Sequence, residues 1–215
     1  MKQVSVVLNG FRRPFSLEKQ YNAVKAQTVP AKEIFMWKNH PENETQFDFS
    51  KYTDLAISSN NANYGVWARF AFALNTTSEY ICVLDDDTIP SEKWFENCIH
   101  CIENENNGLY GTIGVIFNDL DYRSYIRHGW ANPNEETKEV DIVGHSWFFH
   151  RDLLGAFWRE STVPVSHLCG EDMHFSYAIQ KYLDLKTYVP PHPKDDKSLW
   201  GSDPELANRF GVDKD

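Results

Sequence analysis

Apolar residues in this chain fall in short runs that alternate with stretches of helical spacing. The run over residues 3–8 reads as a first strand, with Asn9-Gly10-Phe11-Arg12-Arg13-Pro14 as its exit loop. Ser16 is a candidate N-cap for a helix over residues 17–27, with Tyr21 and Val24 on its inner face. Val29-Pro30 breaks that helix. A second strand over residues 33–37 runs into Lys38-Asn39-His40-Pro41, and the polar stretch 41–52 reads as loop. Residues 55–58 form a third strand. Asn60 to Gly65 are a polar turn, followed by a helix over 66–74 that carries Arg69. A fourth strand, Tyr80-Ile81-Cys82-Val83-Leu84, is apolar at every position and runs straight into Asp85-Asp86-Asp87.

The second half is less regular. A helix starts near Pro90 and runs to about residue 104, where Asn106-Asn107-Gly108 ends it. Residues 109–117 read as one glycine-punctuated strand, 118–139 as polar and irregular, and 140–149 as a strand region interrupted by Gly144. A short helix covers 153–158. Cys169-Gly170-Glu171-Asp172 opens a helix with Phe175, Ala178, Ile179 and Tyr182 on one face. A last strand over 187–189 leads to Pro190-Pro191-His192-Pro193, and residues 194–215 are charged and poor in pattern. Strands that are apolar throughout are covered on both faces, so the β-α-β-β-α-β order predicts an α/β fold with a mostly parallel sheet flanked by helices.

Composition narrows the function only a little. The chain has 215 residues and a formal net charge of −10, which argues against nucleic acid or an anionic membrane as the main partner. No apolar run approaches the roughly 20 residues a membrane helix needs. The N-terminal apolar run is too short for a signal peptide, so the expected location is the cytoplasm. Cys98-Ile99-His100-Cys101 has C-x-x-C spacing, but it lies on an apolar helical face and no second pair completes a zinc site; a structural role is expected.

The chemistry concentrates at Asp85-Asp86-Asp87. In open α/β sheets ligands gather beyond the carboxyl ends of strands. Side chains alternate along a strand, so Asp85 and Asp87 point one way and Asp86 the other. Two same-side carboxylates suit a hard cation such as Mn2+ or Mg2+, with further positions left for phosphate oxygens. The competing reading is a solvated acidic turn. The chain has neither G-x-x-x-x-G-K-[ST] nor G-x-G-x-x-G, so neither a P-loop nor a dinucleotide fold can be argued. Arg12, Arg13 and Arg69 follow strands on the same predicted sheet edge. They suit bidentate phosphate contact, or are ordinary surface residues.

Taken in order, several segments resemble the GT-A glycosyltransferases. They are Val6 to Pro14, Trp37-Lys38-Asn39, Asn63 to Arg69, Val83 to Thr88, Val143 to Phe149 and Gly170-Glu171-Asp172. Within that fold the chain looks most like the exostosin-like group and the glycosyltransferase domain found in chlorella viruses. The likeness covers about residues 3–192. It implies a GT-A fold with a small antiparallel extension in a single domain. The nucleotide half would span about 1–90, the acceptor half about 91–193, and a tail or lid 194–215. The cytoplasm would be the host's if the chain is viral.

The resemblance also implies a UDP-sugar donor, a carbohydrate acceptor, and Mn2+ on an Asp-x-Asp motif. Carried over by position, Asp87 is the direct metal ligand, and Asp85 contacts the ribose or the metal. His192 matches the histidine that often completes the metal site. Asn9, Gly10, Arg12, Arg13, Asn39, Asn63, Arg69, Asp85 and Asp86 belong to the nucleotide pocket. Gly144, His145 and Trp147 lie under the donor sugar. Asp172, with Glu171 beside it, is the catalytic carboxylate. Each has a plainer reading: Asp172 as a helix cap, His192 as an exposed loop histidine, Trp147 as core. Two other functions fit the acidic motif. One is a phosphatase of the D-x-D-x-[TV] type, although position five is Ile89 and the motif follows the fourth strand. The other is a non-catalytic module that binds a nucleotide or carbohydrate.

Overall fold

The computed structural model describes residues 2–39, 47–160 and 167–208. In the first half, strands β1 (Val4–Gly10), β2 (Ala31–Lys38), β3 (Leu55–Ser59) and β4 (Tyr80–Leu84) alternate with helices α1 (Leu17–Lys25) and α2 (Ala68–Ala73). Helix α3 (Trp94–Asn104) follows. Then come β5 (Gly108–Tyr110), β6 (Ile113–Phe117), β7 (Tyr125–Gly129), β8 (Lys138–Val140), β9 (Ile142–Gly144) and β10 (Ser146–His150). Helices α4 (Leu154–Phe157) and α5 (Glu171–Leu183), strand β11 (Lys186–Val189) and helix α6 (Pro204–Asn208) complete the chain.

Eight strands form one sheet in the order β3-β2-β1-β4-β10-β5-β11-β8. The β1–β2, β2–β3, β1–β4 and β5–β11 pairs are parallel, and β10 is antiparallel to both its neighbours. A second, three-stranded antiparallel sheet has the order β7-β6-β9. This is the α/β arrangement expected, with the antiparallel extension in place.

Alternation explains why β1 and β4 read as continuous apolar runs. Val4, Val6 and Leu8 of β1 join Tyr80, Cys82 and Leu84 of β4 in one core layer, with Leu17 and Val24 of α1 and Phe95 and Cys98 of α3. Val7, Ile81 and Val83 face the opposite layer, with Phe70 of α2, Phe157 of α4 and Phe175 and Ile179 of α5. Both faces are covered, so no position tolerates charge until the strand leaves the sheet. Cys98 and Cys101 are free, buried thiols, as their apolar helical setting predicts.

Three expectations change. Residues 109–117 are two strands in different sheets, parted at Gly111-Thr112. A Cβ at Gly111 would lie 2.5 Å from Val143 Cβ, so the chain passes there only without a side chain. The region 140–149 likewise divides at Gly144-His145, where β9 of the small sheet gives way to β10 of the large one. The stretch 118–139, read as irregular, contains β7 and most of β8. Of the 41–52 loop, residues 40–46 lie outside the described residues, while Phe47, Phe49 and Tyr52 pack on the core.

Part of the tail packs back on the fold. Trp200 is buried, its carbonyl accepts from Ser91 N–H, and Ser202 Oγ accepts from Ile89 N–H at 3.1 Å. A Cβ at Gly201 would meet Thr112 Oγ1 at 2.2 Å. Trp200 to Ser202 are thus buried beside the exit of β4, while residues 194–197 are exposed and 209–215 lie outside the described ones.

Gly65 gives a direct test of this packing. It has φ +70°, and an added Cβ would sit 1.8 Å from the carbonyl oxygen of His167. Gly65→Ala is expected to destabilise the fold by roughly 2 kcal/mol or more through strain and backbone clash. Urea unfolding measures it, and an unchanged midpoint would mean that this loop is placed wrongly.

Candidate active site

Because β1, β2, β3 and β4 run parallel, their carboxyl ends open on one edge. That edge gathers Asn9 and Gly10 from β1, Asn39 after β2, Asn63 after β3 and Asp85 after β4. The antiparallel β10 starts there too, Ser146 pairing with Leu84, which brings Gly144-His145 beside the aspartates.

The acidic turn is held by its backbone. Asp85 N–H and Thr88 Oγ1 both donate to the His145 carbonyl, at 3.1 and 2.7 Å. Gln20 Nε2 donates to the carbonyls of Asp85 and Thr88, at 2.6 and 2.8 Å. Ser16, expected as a cap of α1, makes no capping bond; its hydroxyl donates to the Asp86 carbonyl. Helix α1 therefore fixes the turn by satisfying carbonyls that the end of β4 leaves unpaired.

The chain turns after β4, so strand alternation does not set the three carboxylates apart: Asp85 meets Arg69, while Asp86 and Asp87 both lie toward Arg13. Asp86 is buried against the Arg13 guanidinium. Burial pushes its pKa up to about 6, with Arg13 opposing. Asp86 thus pairs with an arginine and leaves the nucleotide edge to its neighbours, unlike the role expected of it. Asp85 and Asp87 stay partly open. Asp87 is shifted upward by burial and by Asp85, while His145 and Arg13 pull it back; Arg13 Nη2 is 3.9 Å away.

Arg69 departs furthest from expectation. It is 1% exposed, in α2, and donates to Asp85 on one side and to Glu171 at 2.6 Å on the other. Its guanidinium lies 4.6 Å from the centroid of the Trp147 ring. Burial works against its charge, but Asp85 and Glu171 more than offset this and its pKa is raised. A fully buried group joining two carboxylates is neither a phosphate clamp nor a surface residue. Trp147 is core, as its plainer reading held, and roofs this bridge.

Two cavities lie along this edge. One, of about 300 Å³, is lined by Asn9, Phe11, Arg12, Asn39, Asn63 and Gly65 among others. The Asn9 Oδ1 is buried there without a hydrogen-bond partner. Asn39 is fully engaged, accepting from Trp37 Nε1 and Tyr64 N–H and donating to the Gly65 carbonyl, so it shapes the wall instead of offering a contact. Asn63 accepts from Gly65 N–H at 2.8 Å in the same turn. Gly10 is packed at the end of β1, where a Cβ would meet Phe47 at 3.0 Å.

The other cavity, of about 240 Å³, lies between the acidic turn and the small sheet. Asp85, Gly144, His145, Trp147, Glu171 and Asp172 line it, with Tyr122, Tyr125 and Arg127 from the β6–β7 arm. Sequence reasoning missed these last three, because their stretch lacked a strand pattern. Asp172 Oδ1 accepts from Met173 N–H at 2.7 Å at the start of α5, and burial raises its pKa.

His192 is not available as a metal ligand in this arrangement. It is fully buried, with Nδ1 3.0 Å from the Pro190 carbonyl and Nε2 accepting from Gly201 N–H at 3.1 Å. Its ring centroid lies 5.6 Å from that of Trp94 and 6.2 Å from that of Trp200. Burial lowers its pKa to about 4, which keeps the ring neutral. Among the described residues no three His, Cys, Asp or Glu side chains are grouped to hold a metal ion. The neighbouring Asp85 and Asp87 still fit a cation held chiefly by diphosphate oxygens, which needs only one or two protein carboxylates.

The family model for Glycosyl transferase family 2 matches residues 5–161, most of the large sheet and the whole acidic edge. The chain belongs to glycosyl transferase family 2. The match supports glycosyl transfer as the activity. Similar solved structures include Staphylococcus aureus TarS, 15% identical with a TM-score of 0.61, covering 88% of this chain and 35% of that one. The crystal structure of GalNAc-T7 with UDP, GalNAc and Mn2+ is 14% identical with a TM-score of 0.67, over 88% and 42%. TarS residues 1–349 give 16% identity and 0.58, over 88% and 58%. At these identities the likeness is one of fold, and this chain spans from about a third to three fifths of those longer chains. No curated protein sequence matches it. Among the described residues no helix is long and apolar enough to cross a membrane.

Two results test the bridge. Arg69→Leu leaves two carboxylates without their buried counter-charge and is expected to cost about 3 kcal/mol in urea unfolding; an unchanged stability would mean that the bridge is idle. Burial raises the pKa of Glu171 from an ordinary 4.5 to about 7, although Arg69 opposes it. The folded state then binds more protons than the unfolded state between those values, so stability falls as pH rises through that window. Melting temperatures from pH 4.5 to 8 should show this fall in the wild type and a shallower one in Glu171→Gln.

Proposed function

We propose that this chain moves a sugar from a UDP-sugar donor to a hydroxyl of a carbohydrate acceptor, with Mn2+ or Mg2+ assisting. The observation that carries this reading is the acidic turn at the carboxyl end of β4, where Asp85 lines one cavity on the same sheet edge as the Asn9 cavity. The nucleoside would enter the Asn9 cavity, where a buried, unpartnered amide oxygen suits a base N–H. The sugar and acceptor would occupy the cavity of Asp172, Glu171 and the β6–β7 aromatics. The diphosphate would span the acidic turn. GalNAc-T7, of similar fold, was solved with UDP, GalNAc and Mn2+, and that supports a nucleotide-sugar and a metal here. The first 90 or so residues would then serve the nucleotide and the later ones the acceptor.

A divalent cation, when bound through Asp87 and Asp85, would supply positive charge against the charge that develops on the departing diphosphate. Arg13, beside Asp86 and Asp87, adds to the same field. Asp172 receives the proton of the acceptor hydroxyl. The acceptor oxygen bonds to the anomeric carbon as the bond from that carbon to the β-phosphate oxygen breaks, and UDP leaves. Glu171 does not compete for this role, because Arg69 holds it. A carboxylate poised as base favours inversion at the anomeric carbon. The exostosin-like likeness favours retention instead, and the anomer of the product decides. The D-x-D phosphatase reading has no support from the family.

The test pairs a panel of UDP-sugars and Mn2+ with the Asp172→Asn variant. Wild type should release UDP, faster with an acceptor. Asp172→Asn should lower transfer by roughly 10²-fold and leave UDP affinity nearly unchanged. Phosphate release from simple esters would restore the phosphatase, and binding with no turnover of any donor would make the chain a binding module. A loss of UDP affinity in Asp172→Asn would place Asp172 in the donor site.

A further inference from the structure

Among the described residues three that are not glycine take positive φ: Trp130 at 49°, His145 at 64° and Asp184 at 54°. Asp184 follows the last turn of α5 and ends that helix. The other two pack together, ring centroids 5.2 Å apart and planes tilted by 40°, with His145 in the wall of the cavity of Asp85 and Asp172. Left-handed backbone is unfavourable for a residue with a Cβ and neutral for glycine. Such residues gather at functional sites, where the surroundings hold them in place.

The backbone of His145 has a clear task. Its carbonyl takes the N–H of Asp85 and the hydroxyl of Thr88, which fixes the acidic turn. A glycine would make both bonds without strain. Gly144, one residue earlier, does not use positive φ, and a Cβ there would meet nothing closer than 3.8 Å. The strain therefore sits on the residue that carries the imidazole, and the backbone's task does not need an imidazole.

The ring itself is unsatisfied. His145 Nδ1 is buried without a hydrogen-bond partner, and so is Nε1 of Trp130 stacked on it. Buried polar atoms without partners are rare and call for a ligand or a functional reason. The ring lines the cavity of Asp85, Trp147, Glu171 and Asp172 and favours the charged form of Asp87. His192 has both nitrogens committed to backbone groups, whereas the His145 ring lies in the cavity wall.

Resting on the donor reading above, we propose that the His145 side chain contacts the outer phosphate of a nucleoside diphosphate, beside Asp87. The strained backbone aims the ring, and Trp130 fixes its plane. Imidazole suits this place because a single N–H can meet a phosphate oxygen where the carboxylates alone would repel it.

The experiment is calorimetric titration of UDP and of UMP, both with Mn2+, into wild type, His145→Gly and His145→Asn. Glycine removes the strain and asparagine tolerates it, so at least one variant should fold. Melting temperatures of the free variants are expected within about 2 °C of wild type, less than 1 kcal/mol would move a protein of this size. UDP affinity should fall about tenfold in both variants, while UMP, which lacks the outer phosphate, binds as before. Equal UDP affinity in wild type and both variants would overturn the proposal. So would a parallel loss of UDP and UMP with a large fall in melting temperature, which would make the ring structural. A wild type that binds neither nucleotide would sink the donor reading itself, and this inference with it.

Discussion

The guanidinium of Arg69 is the point on which the site's geometry depends. It lies inside the protein, against the face of Trp147, and is neutralised by Asp85 and Glu171 from two distant parts of the chain. Asp85 belongs to the acidic turn after β4, and Glu171 is the first residue of α5. One buried cation thus ties the edge that would hold a diphosphate to the helix that would present Asp172. Replacing such a bridge by apolar groups can be neutral, but removing one partner leaves a charge stranded in low dielectric. The arrangement therefore resists piecemeal change.

The acidic turn is balanced in the same way on its other side. Arg13 offsets Asp86, so two of three adjacent carboxylates have an arginine partner within the fold. Asp87 has only a distant contact with Arg13 and the influence of His145. Without these pairs, three neighbouring charges beside a dry core would favour protonation. With them, Asp87 is left as the least paired of the three, while Asp85 keeps a place in the wall of the cavity it shares with Asp172, beside its arginine. Asp86 is the most buried of the three and is taken up by Arg13, which leaves Asp85 and Asp87 partly open.

Much of this could be read from the residues. The all-apolar β4 could lie only inside a two-faced sheet, and its carboxylates could emerge only at the end. The parallel β1 to β4 then placed Asn9, Asn39, Asn63 and Asp85 on one edge. Three features were not legible, each for a physical reason. Hydropathy does not register a strand that changes sheets, so β5 merged with β6 and β9 with β10 in the pattern. A short polar strand such as β7 lacks a buried face to mark it, which hid Tyr122, Tyr125 and Arg127. Burial of a charge depends on distant partners. Arg69 is set among Trp67 before α2 and Phe70 and Phe72 within it, an apolar context that was the available signal. His192 gave no such signal, because Trp94, Trp200 and Gly201 reach it only through the folded tail.

On the reading proposed above, the acidic edge holds a nucleoside diphosphate together with a divalent cation, with Asp87 as the principal protein carboxylate. The most direct measurement is calorimetric titration of UDP into the protein with Mn2+ and with chelator, for wild type and Asp87→Ala. Mn2+ should tighten UDP binding to wild type by tenfold or more, and Asp87→Ala should fold normally but lose the effect. Equal affinity with and without Mn2+, or full Mn2+-dependent affinity in Asp87→Ala, would contradict it.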